Sequence, residues 1–523
     1  MSVTTENAGR LDAVAPAIEL IGINKAFGPV QANKNISMTV AKGAIHGIVG
    51  ENGAGKSTLM SILYGFYKAD SGKVKINGVL TEITDSRAAI AAGIGMVHQH
   101  FMLVENFTVL ENVILGAEDG RTLGPSRRRA RKELKRLADE YELDVNPDGV
   151  IEDISVGFQQ RVEILKALYR QAEILILDEP TGVLTPDEAD HLFRILRNLK
   201  EQGKTIVIIT HKLREIMDVT DTVSVMRRGE MTTTIATNTT SPEDLAEAMV
   251  GRRVLLEVDK APPTVGETVM EVRNLSVTDI HKVKRLKNVS FELKRGEILG
   301  IAGVAGNGQS ELLEVIAGIG AASSGEIVMH GESIDVSKHA NAQLRRRRGI
   351  GHVPEDRHQR GLVMPFMTWE NTTFGYHNEP EYSKGFGLAN QKYMMEDARG
   401  KMERFDIRPP NPQLVASHFS GGNQQKIVLA REIERNPDVL LIGQPTRGVD
   451  IGAIEFIHQQ IVNLRDAGKA ILLVSVELDE IQALSDRILV MFDGEIQGER
   501  LPENTNEGEL GLLMAGVDPE TGK

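Results

Sequence analysis

The chain has 523 residues, of which 41% are hydrophobic and 25% charged, and a formal net charge of −13 at pH 7. That length exceeds one ordinary core and predicts roughly two to four domains of soluble globular composition. The acidic balance argues against nucleic acid as a partner, and the absence of cysteine excludes disulfides, iron–sulfur clusters and thiolate zinc sites. No apolar run approaches the roughly 18–20 residues that span a bilayer, so a membrane role is expected to go through a partner. The polar stretch 1–16, with Glu6, Arg10 and Asp12, is not expected to be a secretion signal.

In chain order, the first informative stretch is a strand-like run, Ile45–Val49, that leads into Gly50-Glu51-Asn52-Gly53-Ala54-Gly55-Lys56-Ser57 and then into a helix-like run from Thr58 to Leu63. The pattern G-x-x-x-x-G-K-S at a strand–helix junction predicts a phosphate-binding loop. Its glycines let successive backbone N–H groups face phosphate oxygens at the positive end of a helix dipole. Lys56 is placed to reach the β- and γ-phosphates, and the Ser57 hydroxyl to complete a Mg²⁺ shell. The basic run Arg127–Arg136 reads as a solvated helix face. Ile174–Leu177 and Thr205–Thr210 are short, nearly all-apolar runs, as expected of buried parallel strands. The first ends in Asp178, which can hold Mg²⁺, and Glu179, which can polarise an attacking water. Thr185-Pro186-Asp187-Glu188 is a capping box with proline at N1, and Gly203 closes the helix that follows.

The pattern then recurs. Gly303-Val304-Ala305-Gly306-Asn307-Gly308-Gln309-Ser310 repeats the loop about 253 residues later, with Gln309 in place of the lysine. Ser155-Val156-Gly157-Phe158-Gln159-Gln160-Arg161 is answered by Ser420-Gly421-Gly422-Asn423-Gln424-Gln425-Lys426, and Leu177–Thr181 by Ile442–Thr446, both about 265 residues on. The chain is therefore expected to be two homologous α/β P-loop NTPase domains, 18–253 and 267–518, each with a helical subdomain, joined by a linker at 254–266 that contains Pro262-Pro263. The roughly dozen extra residues of the second half are expected as a surface insertion around Tyr376–Asn411.

The run Ser155–Arg161, and better the run Phe419–Asn423, resembles the signature of the ATP-binding-cassette (ABC) ATPases, close to L-S-G-G-Q, and the resemblance covers nearly all of 18–518. It implies ATP and Mg²⁺ as ligands. It also implies that each ATP is clamped between the phosphate loop of one domain and the signature of the other, so that Ser420, Gly421 and Gly422 contact the γ-phosphate. By the same resemblance Gln99 senses Mg²⁺ and the γ-phosphate and couples to a membrane subunit, His211 contacts the γ-phosphate and positions water, and Phe27 stacks on adenine. The apolar run Phe101-Met102-Leu103-Val104 is expected either to line a groove for a membrane-subunit helix or to pack internally.

By difference, the second half has Ile280 for Phe27, Gln309 for Lys56, Glu355 for Gln99, Gly443 for Asp178, Gln444 for Glu179 and Val476 for His211. It is therefore expected to leave the metal without its carboxylate at Gly443, to lack a base at Gln444 and a cation at Gln309, and to add an anion at Glu355. It keeps the better signature and Asp450 in Arg447-Gly448-Val449-Asp450. The first half is the reverse, with Val156 and Phe158 in its signature and Thr185 where Asp450 stands. In a head-to-tail pair the intact parts all meet at one site, so one hydrolytic and one degenerate ATP site are expected.

Among ABC proteins with two cassettes in one chain, Pro354-Glu355-Asp356-Arg357, Gln444–Asp450, Glu477-Leu478-Asp479-Glu480 and the texture of Val97–Val113 are most similar to the importers of simple sugars and nucleosides, in particular the nucleoside, basic-membrane-lipoprotein-linked branch. That resemblance implies two membrane permease subunits as partners, an extracytoplasmic solute-binding protein acting indirectly, and a peripheral position on the cytoplasmic side of the cell membrane. A soluble tandem ATPase acting on ribosomes or nucleic acid is the alternative.

Overall fold

The computed structural model describes residues 15–517 except 29, 99–100, 118–122, 183, 185, 254–257, 259, 305, 338–340 and 385–387. The chain divides into two compact units, Met1–Arg253 and Val254–Lys523. Each is built from the same two sheets and a helical subdomain.

The central sheet of the first unit has six strands in the order Glu230–Ala236, Thr222–Arg227, Ile45–Gly50, Thr205–Ile209, Ile174–Asp178, Ile94–Val97. All pair in parallel except the edge hairpin Thr222–Ala236. Every residue of Ile45–Gly50 and Thr205–Ile209 is buried, which is why these runs are apolar without alternation. In the second unit the equivalent order, read from the opposite edge, is Ile350–Val353, Val439–Gly443, Ala470–Ser475, Ile298–Ala302, Arg487–Phe492, Glu495–Arg500.

A second, antiparallel sheet was not anticipated. It orders Val30–Val40, Ile18–Phe27, Ser71–Ile76 and Val79–Leu80 in the first unit. Ile36, Met38 and Val40 are buried while Ser37 and Thr39 are exposed, so the period-2 signal is present in the sequence. The helix Lys56–Leu63 lies between the two sheets. Its Leu59 and Leu63 share one core with Ile18 and Ile36 on one side and Ile48 and Val207 on the other.

The helical subdomain of the first unit packs Val109–Ile114, Leu123–Tyr141 and Val156–Tyr169 around Val113, Leu134, Leu137 and Leu165. The basic run is solvated, as expected: Arg127 pairs with Glu111, Arg131 with Asp148, and Arg136 with Glu133 and Glu140. In the second unit the extra residues before Gln391–Arg404 are not merely a surface insertion. Tyr376 and Tyr382 are buried with Met394 against Trp369, and the Arg435 guanidinium lies 4.7 and 4.9 Å from the two tyrosine rings. The tyrosines carry the apolar mass that an exposed loop would lack. Among the described residues, no helix is long and apolar enough to cross a membrane.

Candidate phosphate and water-activation sites

The loop between Ile45–Gly50 and Lys56–Leu63 owes its shape to glycines in two places. Gly55 has φ +100°, and a Cβ there would lie 2.1 Å from the Ala32 carbonyl oxygen. A Cβ on Gly50 would lie 2.3 Å from the Met226 carbonyl oxygen. The helix starts without a side-chain cap or an acidic residue in its first turn, so its free N–H groups remain available to an anion. Glu51, Asn52 and Gly53 form the rim, with the Ala54 N–H bonded to the Glu51 carbonyl at 3.0 Å, and Thr58 follows in the first turn. Phe27 ends the strand Ile18–Phe27 and is exposed, with Tyr67 edge-on at 5.1 Å. The next strand packs against the loop, where the Asn33 side-chain amide donates to the Gly55 carbonyl at 3.0 Å.

Lys56 is 6% exposed and donates to the carbonyls of Gly50 (2.6 Å) and Glu51 (3.1 Å). Burial lowers its pKa, opposed by the charges of Glu179, Asp178 and Glu51. Ser57 donates its hydroxyl proton to Asp178, whose pKa is pushed up to about 6, first by burial and then by the neighbouring Glu179 charge. One carboxylate and one hydroxyl are hard oxygen donors suited to Mg²⁺ that brings phosphate oxygens as further ligands. Among the described residues there is no group of three or more His, Cys, Asp or Glu that could hold a metal by itself. Ser57 and Asp178 therefore fit a metal that arrives with a nucleotide. Gln99 lies outside the described residues.

Glu179 sits just past the strand end in a left-handed backbone conformation, φ +47°, and its N–H is tied to the Ile209 carbonyl at 2.8 Å. Its carboxylate accepts from Nδ1 of His211 at 3.0 Å. The hydrogen bond from His211 lowers the Glu179 pKa against the opposing effect of burial, so the carboxylate is held as a base. A non-glycine residue at positive φ is costly and is kept where the surroundings over-determine it. Sequence reading placed the acid but not this backbone.

The second unit repeats that backbone without the chemistry. Gln444 has φ +48° and its N–H is bonded to the Val474 carbonyl at 2.8 Å. Its side-chain oxygen accepts from the backbone N–H of Val476 at 3.3 Å, where His211 stands in the first unit. The Gln309 amide donates to the Val304 carbonyl at 3.2 Å, the counterpart of the Glu51 carbonyl that Lys56 engages.

One expectation needs correction. The space vacated at Gly443 does not lack a carboxylate, because Glu355 occupies it. A Cβ on Gly443 would lie 2.4 Å from Glu355 Cγ, and the Glu355 carboxylate accepts from the Ser310 hydroxyl at 2.5 Å. This is the pairing that Ser57 and Asp178 make in the first unit.

At the signature of the second unit, Ser420 precedes the helix Gly421–Ile433 and makes no side-chain cap. A Cβ on Gly421 would lie 2.6 Å from the Gly448 carbonyl and 2.8 Å from an Arg357 Nη, and one on Gly422 would lie 3.0 Å from the Ala453 Cβ. Arg357 donates to the Arg447 carbonyl at 2.7 Å, so it braces the glycines from the segment that also carries Glu355. In the first unit Val156 and Phe158 are both exposed at the matching helix start, and Thr185 lies outside the described residues.

Beside the parallel sheet of the first unit, a cleft of about 330 Å³ is lined by Tyr64, Phe66, Ile90, Met96, His98 and Met102, with Glu163, Lys166 and Arg170 at its charged side. Of the run Phe101–Val104, Met102 lines this cleft while Leu103 packs on the helical core, as the expectation of internal packing has it.

A phosphate loop and a signature helix, each present twice, with a strand-end acid pair in the first unit, define an ABC ATPase. The ABC transporter family matches residues 33–182 and 286–447, and the chain belongs to that family. It is 46% identical over 501 residues to the nucleoside import ATP-binding protein NupA of Lactococcus lactis subsp. cremoris, covering 95% of this chain and 98% of that protein. It is likewise 46% identical over 507 residues to the guanosine import ATP-binding protein NupO of Bacillus subtilis, covering 97% and 99%. A glucose import ATP-binding protein of Haloferax volcanii is 43% identical over 536 residues, covering 96% of each.

Proposed function

We propose that this chain is the ATP-hydrolysing subunit of an importer of nucleosides, bound at the cytoplasmic face of the membrane to two permease subunits, with one hydrolytic and one degenerate ATP site. The observation that carries the asymmetry is the contrast at one strained backbone position: a carboxylate braced by a histidine at Glu179, an amide turned onto backbone at Gln444. At the hydrolytic site the loop 50–58 cradles the phosphates, Lys56 leaves its loop carbonyls for the β- and γ-oxygens, and Phe27 stacks on adenine. Ser57 and Asp178, with Gln99, would hold Mg²⁺, which when bound would offset phosphate charge. Glu179 accepts the proton of the attacking water, and His211 orients that carboxylate and the γ-phosphate. Ser420, Gly421 and Gly422 supply the second anion-binding helix start, as the family resemblance implies.

The cleft with Phe66 51% exposed and Met102 60% exposed suits an apolar helix of the permease. Import rather than ribosome or nucleic-acid work is supported by the names of the relatives, and nucleosides over sugars by the two at 46% identity.

The test is the ATPase activity of the purified chain and of its transporter. Glu179→Gln should lose nearly all turnover while Gln444→Glu changes it little. Retained turnover in Glu179→Gln would overturn the assignment, and uptake of pentoses but not nucleosides by the assembled complex would overturn the solute.

A further inference from the structure

We infer that the second unit keeps a Mg²⁺-dependent nucleotide site in which Glu355 has taken over the metal-binding carboxylate that Gly443 lacks. The inference deepens the reading of that site as non-hydrolytic and rests on it.

The described glycines of the loop keep the turns of a cradle. Gly306 and Gly308 have φ +94° and +101°, against +81° and +100° at Gly53 and Gly55, and the helix Gln309–Ile316 also begins without a side-chain cap. Gln309 is 4% exposed and spans to the Val304 carbonyl, so it keeps the strut that Lys56 provides while removing its charge.

The metal position is rebuilt from a different segment. In the first unit a carboxylate from the end of a central strand receives the hydroxyl of the serine after the loop lysine. In the second, the same hydroxyl–carboxylate pair is made by Ser310 and Glu355, whose side chain crosses the gap above Gly443. The glycine is required for this: a Cβ at 443 would lie 2.4 Å from Glu355 Cγ, 3.0 Å from Glu355 N and 3.0 Å from a Leu313 methyl. An acid at 443 and Glu355 in this position therefore exclude each other. The hard oxygen pair that Mg²⁺ needs is conserved in kind.

The charge around this loop favours nucleotide that arrives with a metal. The lysine is gone, Glu355 is present and Glu311 stands in the first helical turn. A polyphosphate alone would meet Glu355 and Glu311 without the charge of a loop lysine, whereas a bound divalent cation would turn that contact favourable. Gln444 offers no base, so the bound nucleotide is retained rather than turned over.

The experiment counts ATP-dependent Mn²⁺, standing in for Mg²⁺, by electron paramagnetic resonance on the full chain. Two bound ions per chain are expected, one of them lost in Glu355→Gln and in Ser310→Ala. In the Lys56→Ala chain, a fluorescent ATP analogue should bind with Mg²⁺ and weaken at least roughly tenfold in EDTA, a difference that adding Glu355→Gln abolishes. A single Mn²⁺ in the unaltered chain would overturn the inference. So would a second Mn²⁺ that survives both substitutions, or tighter metal-free binding in Lys56→Ala/Glu355→Gln than in Lys56→Ala with Mg²⁺. None of these readouts depends on which site hydrolyses ATP, which the Glu179→Gln turnover decides separately.

Discussion

Oε1 of Glu179 lies 3.0 Å from Nδ1 of His211, and a carboxylate can only accept, so the imidazole carries its proton on Nδ1. This fixes both the rotamer of the base and the tautomer of the histidine. His211→Ala should lower ATP turnover by roughly 10²-fold or more while leaving nucleotide affinity within a few-fold, since the loop contacts are untouched. His211→Gln, which keeps a side-chain donor, should retain more turnover than alanine. Steady-state ATPase rates beside nucleotide titrations separate the two effects.

Asn112 is 1% exposed and clamps the segment that leads from Met102 into the helical subdomain. Its Oδ1 accepts from the Val104 N–H at 2.7 Å, and its amide donates to the carbonyls of Val104 and Thr108, both at 3.1 Å. Asn371 does the same in the second unit with Val363, Phe366 and Met367. Asn112→Ala strands buried backbone groups and should destabilise the first unit by about 2–3 kcal/mol. Denaturant unfolding of the full chain checks this, with the first-unit transition moving and the second standing still.

His46 is buried between Thr222 Oγ1 at 2.7 Å and Ser224 Oγ at 2.8 Å, and burial pushes its pKa down from 6.5 to about 4. Between those values the unfolded chain binds a proton that the folded chain refuses, so stability rises with pH through this window. The contribution is fully present above pH 6.5 and is lost as pH falls toward 4, at most about 3 kcal/mol. Thermal melts at pH 5 and 7.5 should show a smaller pH shift for His46→Gln than for the unaltered chain; an equal shift would refute the assignment.

Gly443→Asp restores the acid found in the first unit but drives a Cβ to within 2.4 Å of Glu355 Cγ. It should cost about 1–3 kcal/mol by overpacking, and Glu355→Ala should relieve most of that cost. A double-mutant cycle on unfolding free energy measures the coupling, and additive effects would show that the two side chains do not share the space.

The two P-loop domains and the loop, acid and signature residues were legible because each rests on a local pattern: glycines where a Cβ has no room, apolar strands buried on both faces, and acids at strand ends. The antiparallel sheet was missed although Ile36, Met38 and Val40 alternate, because its hairpins interrupt the alternation with bulges at Leu20–Ala26. The left-handed backbone at Glu179 and Gln444 leaves no trace in residue type, since the conformation is imposed by the bond to the next strand. Glu355 was read as an added anion for a similar reason. Its meaning depends on a gap at Gly443, and only three dimensions join residues nearly ninety positions apart.

The filled gap at Gly443 also ties two distant positions together. An aspartate at 443 and Glu355 in its present place cannot both occupy that space, so restoring the strand-end acid alone would force Glu355 to move. Giving the second cassette the acid arrangement of the first would take two coordinated changes rather than one.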